Sequence, residues 1–373
     1  MEIAMPALSG TVRAASRALS RAFPPPQLLT MPAAGIDISD ASVKWLMLEQ
    51  TARGFRVASW GEVPLPQGIV NNGIIKDGAA LSGVLRDVKK HLGGVHFAHA
   101  ALPEEAAYVF EMHIPDNTPH DEALKLIEFE FEGRVPISPE MAVFDFDTIQ
   151  KHDGAEDEIG VAVFPRDLSE SYAAAFAGAG IGLLSLEVEA RSIARAVSDD
   201  DAVVLLVDFG RARTGFAVLK RGIPIFTSTV EVGGDAITHA LAESLQLSPE
   251  SAVLFRNEHG LVAEGADPKG LDAIIPVAAA LSDEVARHYH YWDTRRNERG
   301  ERMTPVSSVV IVGGSANLRG LSDYIAGRVQ ASALLGDIWK HVQDFEADIP
   351  PIDRRASLQY ATAIGLALRS YLP

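Results

Sequence analysis

Residues 202–208, Ala-Val-Val-Leu-Leu-Val-Asp, form an unbroken apolar run closed by a single acid. A strand with one wet face alternates apolar and polar residues, so a run of this kind marks a central strand buried on both faces. Such a strand needs helices above and below its sheet, which sets the class as α/β. Gly215 to Lys220 and Ile225 to Val232 extend the same sheet, and Gly233-Gly234 opens a helix through Leu245. A second apolar strand, Ser308 to Val312, ends at Gly313-Gly314, and the chain closes on a helix from Ser357 to Tyr371.

The first half repeats the theme. Gly35 to Ile38 predicts a strand and Ser42 to Leu48 its hairpin partner, with Ser39-Asp40-Ala41 as the turn. Leu81 to Leu92 has helical spacing and stops at Gly93-Gly94. Strands at Phe97 to Leu102 and Ala107 to Ile114, a helix at Asp121 to Gly133, and strands at Val143 to Ile149 and Ile159 to Phe164 follow, the last two separated by the polar loop Lys151 to Glu158. Residues 101–180 therefore read strand, strand, helix, strand, strand, helix, a compact inserted subdomain. Tyr291 to Thr304, rich in Arg, Glu and Asn, is expected as an exposed loop. His288 and His290, two apart on a helix, point to different faces, so aromatic packing is expected there rather than a metal.

At 373 residues the chain is too long for one small core, and two lobes are expected. A formal charge of -17 makes nucleic acid a poor partner, since phosphate binding needs clustered Lys and Arg. With no Cys there is no disulfide frame, thiolate metal site or Cys nucleophile. No apolar run approaches the roughly 20 residues of a membrane-spanning helix. Arg13, Arg17 and Arg21 interrupt any secretory core, so a cytoplasmic location is expected. The same three Arg lie four apart on one face of a short helix that Pro24 ends. Residues 1–33 thus read as a loosely attached arm or a basic helix lying on an anionic membrane.

Two copies of one pattern carry the functional reading. Asp37-Ile38-Ser39-Asp40 and Asp208-Phe209-Gly210-Arg211 each place an acid at a strand end before a small turn and a second strand. Such turns can aim backbone N–H groups at phosphate oxygens, with the acid facing a metal-bound water; either copy alone also reads as an ordinary hairpin. The third element is the Gly313-Gly314-Ser315 turn, where glycine lets a flat ligand approach the backbone.

In this order the three elements resemble the actin, hexokinase and heat-shock chaperone ATPase superfamily. Gly35-Ile36-Asp37-Ile38 with Ser42-Val43-Lys44, Glu231 to Thr238, and the terminal Ala363-Ile364-Gly365-Leu366-Ala367-Leu368-Arg369 resemble, within it, the PilM family of type IV pilus assembly, related to FtsA. FtsA continues into a linker and an amphipathic membrane helix, whereas this chain stops at Leu372-Pro373, which favours PilM. The resemblance implies a two-lobed actin-like (ribonuclease H-like) ATPase fold with an α+β subdomain inserted in the first lobe. The first lobe would be 34–100 and 181–200 with the closing helix 357–371, the insert 101–180 and the second lobe 201–356.

It further implies ATP and Mg2+ held by Asp37, Ser39, Asp40, Ser42 and Lys44 of the first turn and Asp208, Gly210, Arg211 and Thr214 of the second. Gly233, Gly234, Arg256, Gly313, Gly314 and Ser315 would meet the rest of the nucleotide. Asp37 and Asp208 would act on the metal through water, with Glu189 positioning the attacking water in at most a slow ATPase. Ser39 stands where the family usually has Gly, Arg211 and Arg213 where it has small or hydroxyl residues, and Val253 where the adenosine helix often carries an acid. The implied role is a cytoplasmic scaffold at the inner membrane, gripping the cytoplasmic N-terminal tail of a PilN-like membrane protein between insert and first lobe. The strand Ala107 to Met112 is expected to line that groove, or else to pack inside the insert. Self-association is left open. The alternatives are an FtsA-like division scaffold and a sugar-kinase-type phosphotransferase.

Overall fold

The computed structural model describes residues 31–51, 54–131, 133–150, 156–198, 202–264, 267–296, 300, 302–342 and 349–372. Residues 1–30 of the expected arm and 151–155 of the expected polar loop lie outside these.

The strands are β1 (Ala33–Ile38), β2 (Ser42–Thr51), β3 (Gly54–Pro64), β4 (Val70–Asn71), β5 (Ile74–Ile75), β6 (Phe97–Leu102), β7 (Tyr108–Pro115), β8 (Ala142–Gln150), β9 (Glu156–Pro165), β10 (Gly182–Val188), β11 (Val203–Phe209), β12 (Thr214–Lys220), β13 (Ile223–Val230), β14 (Ser308–Val312) and β15 (Ala333–Leu335). The helices are α1 (Gly78–Lys89), α2 (His120–Glu130), α3 (Arg166–Ala179), α4 (Glu189–Val197), α5 (Gly234–Leu245), α6 (Pro249–Glu258), α7 (Pro268–Thr294), α8 (Leu321–Val329) and α9 (Ala361–Leu368).

Two five-stranded sheets share one topology. The first runs β10-β6-β1-β2-β3 and the second β13-β12-β11-β14-β15. In each, an antiparallel meander is extended on one side by two parallel strands. As the apolar run demands, Val203 to Val207 of β11 are all buried. Parallel strands bring their carboxyl ends to one edge, so β1, β6 and β10 deliver Asp37, Glu104 and Glu189 to one side of the first sheet. The ends of β11 and β14 deliver Asp208 and Gly313 on the second.

Between β6 and β10 lies a separate antiparallel sheet, β7-β9-β8, whose own core gathers Met112, Ile114, Ala123, Ile127, Phe131 and Val161. The helix that follows, α3, belongs elsewhere. Its Leu168, Tyr172, Ala175 and Phe176 join the main core.

Helix boundaries follow local chemistry. Asp77 caps α1 by accepting from the Ala80 N–H at 2.9 Å. Ser248 and Pro249 start α6, and Asp267 with Pro268 starts α7. α7 continues to Thr294, into the stretch expected as loop, because Trp292 packs on Phe226 and His288 on Phe216. The closing helix is shorter than its periodicity suggests, a 3-10 turn at Ala356–Tyr360 followed by α9. It is wedged between β1 and α4: a Cβ on Gly365 would overlap the Ser192 carbonyl, and one on Gly35 the Ala363 carbonyl.

Candidate functional site

The facing sheet ends enclose a cleft of about 940 Å³ lined by both turns, the Gly313-Gly314 turn and the start of α9. The first turn is tightly closed. The Ser39 N–H donates to the Ser42 carbonyl at 2.9 Å, and the Ser39 hydroxyl donates to that same oxygen at 3.0 Å while accepting from the Ser42 N–H at 3.2 Å. Ser39, standing in for glycine, therefore spends its own N–H inside the turn. Lys44 Nζ donates to Ser42 Oγ at 3.0 Å and lies 3.4 Å from Glu62. In the second turn, the Gly210 N–H turns back to the carbonyls of Asp208 and Arg213. Gly313 has φ +97, and a Cβ there would strike Asp208 Oδ1. Glycine thus lets the acid of β11 lie directly over the β14 turn.

The floor is rich in acid. Asp37, Glu104, Glu189 and Asp208 all line it. Burial pushes Asp208 up to about 6, with the Asp37 charge adding to it and Lys44 opposing. Asp37 is also raised by burial, against Lys44. Glu189, first residue of α4, is held well above the carboxylate range by burial and then by Asp37 and Glu105. Glu104 is raised by burial and Asp208, and its Oε1 has no hydrogen-bond partner. Like-charged carboxyls sharing a desolvated floor raise one another's affinity for protons, and a cation bound among them would relieve that repulsion. Among the described residues, however, no three His, Asp or Glu side chains converge closely enough to hold a metal by themselves.

Of the sequence-derived candidates, Asp37, Ser39, Asp40, Ser42, Lys44, Glu189, Asp208, Gly210, Arg211, Gly313 and Gly314 meet at this cleft. Thr214, Gly233, Gly234, Arg256 and Ser315 are not among the residues that line it. Thr214 Oγ1 donates to the Val232 carbonyl at 2.5 Å. Arg256 donates to the Gly234 carbonyl at 3.1 Å and Thr238 Oγ1 at 3.2 Å, so its guanidinium braces α5 against α6. Asp40 faces a cation, Arg213, and accepts from the Asn72 and Gly73 N–H groups. Its carboxylate organises the rim rather than offering a phosphate contact. Glu62, Glu104 and Glu105 went unread in the sequence. The signal for Glu104 was its place just past β6, a parallel neighbour of β1.

A second recess, about 440 Å³, lies between the insert and the first sheet. Its walls carry Val143, Phe146, Val161, Leu184 and Leu186, and Ile223 with Pro224 of the second lobe reach its side. β8 and β10 are the outermost strands of their sheets, and both border this recess. Of the strand expected to line it, Val109 alone does; Met112 is buried in the insert core with Tyr108 and Phe110 packed on it. Alternation along β7 sends these side chains inward.

Charge at this groove is internally satisfied. Arg191 pairs with Asp147 at 2.7 Å. Glu187 grips Arg195 bidentately at 2.6 and 2.9 Å and also pairs with Arg369. Below, His99 meets Ser185 Oγ at 2.7 Å and Ser370 Oγ at 3.0 Å. Burial, then Arg369, lowers it to about 4, so it is neutral near pH 7.

The family profile for type IV pilus assembly protein PilM matches residues 35–371. Among solved structures, the chain resembles one from a PilM-PilN type IV pilus biogenesis complex at 22% identity and TM-score 0.75, covering 92% of this chain and 99% of that one. It also resembles the ethanolamine utilization protein EutJ from Carboxydothermus hydrogenoformans (18% identity, 93% and 91% covered, TM-score 0.53). MreB5 of Spiroplasma citri bound to ADP matches at 12% identity, 89% and 95% covered, with TM-score 0.50. These likenesses show the fold, a two-lobed actin-like one.

Proposed function

The chain belongs to the type IV pilus assembly protein PilM family, and from that premise we propose that it is a nucleotide-binding scaffold which grips the tail of a PilN-like inner-membrane protein. The observation that carries the reading is the presence of two separate recesses, one acidic between the lobes and one apolar bordered by two strands with open outer edges. An extended peptide can add to such an edge while its side chains fill the neighbouring apolar wall. The similar solved structure is of a PilM-PilN type IV pilus biogenesis complex, which supports the choice of partner. The protein would then work at the cytoplasmic face of the inner membrane. Tethering of the tail raises its effective concentration, so modest affinity suffices.

The cleft suits ATP with Mg2+. Asp37 and Asp208 would face the ion through water, Lys44 and the two turns would meet the phosphates, and Gly313-Gly314 would lie under the adenosine. The donor set fits a cation: the carboxyls are crowded and desolvated, and the ion would supply the counter-charge that offsets their repulsion beside a phosphate. Glu189 is the candidate for positioning water. Because Ile223 and Pro224 of the second lobe border the peptide groove, a lobe shift on nucleotide binding would reshape it. Neither the FtsA-like nor the phosphotransferase reading is favoured.

Calorimetric titration of the partner's cytoplasmic tail into wild type and into Leu186→Asp tests the scaffold reading. Binding by wild type that the charge abolishes is expected. Equal binding by both, or none by wild type, would sink it.

A further inference from the structure

At the rim of the cleft a cation of the second lobe is already held by the first. Arg213, one residue before β12, pairs with Asp40 through Nη2 and with Glu105 through Nη1, and Nη2 lies 3.4 Å from Asn72 Oδ1. These partners come from three pieces of the first lobe: the β1–β2 turn, the 3-10 turn after β6, and the β4–β5 turn. The anchor is stiff. Asp40 accepts from the Asn72 and Gly73 N–H groups at 3.1 and 3.0 Å, and the Tyr172 hydroxyl donates to the Gly73 carbonyl at 2.8 Å.

The other cations lining the cleft stay within their own lobes. Lys44 pairs with Glu62, and Arg211 with Asp235 at 3.0 Å. Arg213 alone among them spans the gap. A planar guanidinium forks onto two acceptors at once, and phosphate oxygens match that fork as well as carboxylates do.

We propose that Arg213 is a latch of the cleft: without phosphate it draws the second turn onto Asp40 and Glu105, and a bound metal–nucleotide must win it from those carboxylates. The second half of this rests on the nucleotide reading of the cleft; the first half does not. Competition follows from charge. Glu105 both occupies the fork and repels an incoming phosphate, so it weakens nucleotide binding, whereas Arg213 strengthens it. Asp40 is the poorer target for a test because it also holds the β4–β5 turn.

The chain has no Cys, so Lys90→Cys in the first lobe and Ser251→Cys in the second give a clean pair of spin-label sites. Without nucleotide, Arg213→Gln should lengthen and broaden the inter-label distance distribution, with Arg213→Lys intermediate because a compact ammonium cannot fork onto both acids. An unchanged distribution in Arg213→Gln would overturn the latch. In calorimetry with Mg-ATP, Glu105→Gln should bind about fivefold more tightly than wild type, as expected for releasing a partly exposed ion pair, and Arg213→Gln more weakly. Unchanged or weaker binding by Glu105→Gln would overturn the competition. If no form binds Mg-ATP, the nucleotide reading fails, and the distance measurement still decides the latch.

Discussion

Asp208→Asn should make the ligand-free protein more stable while removing its nucleotide binding. The carboxyl sits at a buried strand end, moved from 3.8 to about 6. Each pH unit of displacement corresponds to about 1.4 kcal/mol, so the ionised side chain costs the fold about 3 kcal/mol at neutral pH. The sign follows from proton counting. A raised folded pKa means that the native state binds more protons than the unfolded chain between about pH 4 and 6, so stability falls as pH rises through that window and is flat above it. Asparagine has nearly the same shape and carries no charge. The gain from the substitution should therefore grow from about 1 kcal/mol at pH 4.5 to about 3 kcal/mol at pH 7.5. Relief of Glu189 and Glu104, both raised partly by Asp208, acts in the same direction. Urea unfolding followed by circular dichroism across that range, beside calorimetry with Mg-ATP, measures both effects. A gain that does not vary with pH, or a loss of stability at pH 7.5, would refute the electrostatic account of the floor.

Gly365→Ala should cost about 3 kcal/mol or more, because its Cβ meets the Ser192 main chain rather than a yielding side chain; a shift of the denaturant midpoint reads it, and a neutral result would mean that α9 does not seat as described. Turnover of ATP should stay below about 1 s⁻¹, the bottom of the kinase range, in a steady-state phosphate-release assay. Leu184→Lys places a charge on the exposed β10 edge, where Leu184 is 39% exposed; it should leave the melting temperature within a few degrees and weaken tail binding at least tenfold, about 1.4 kcal/mol.

Much of this architecture was legible because it rests on local patterns. The apolar run ending at Asp208, the Gly313-Gly314 turn and the order of elements in the insert all stand in the structure near the expected positions. Arg256 and Ser315 do not line the cleft in the structure, because a position along a helix or turn does not tell which wall it backs. The acids Glu62, Glu104 and Glu105 converge only through strand order, which no local pattern encodes. β7 shows the limit plainly: its apolar residues suited a groove and a core equally, and packing against α2 decided for the core.

The central claim is that nucleotide and tail occupy two different recesses, and hydrogen exchange of the full chain with each ligand added separately tests it most directly. Mg-ATP should slow exchange in residues 39–42, 210–213 and 313–315, and the tail in 143–147 and 183–188. Protection of the same segments by both ligands, or protection by the tail confined to the second lobe, would contradict the account.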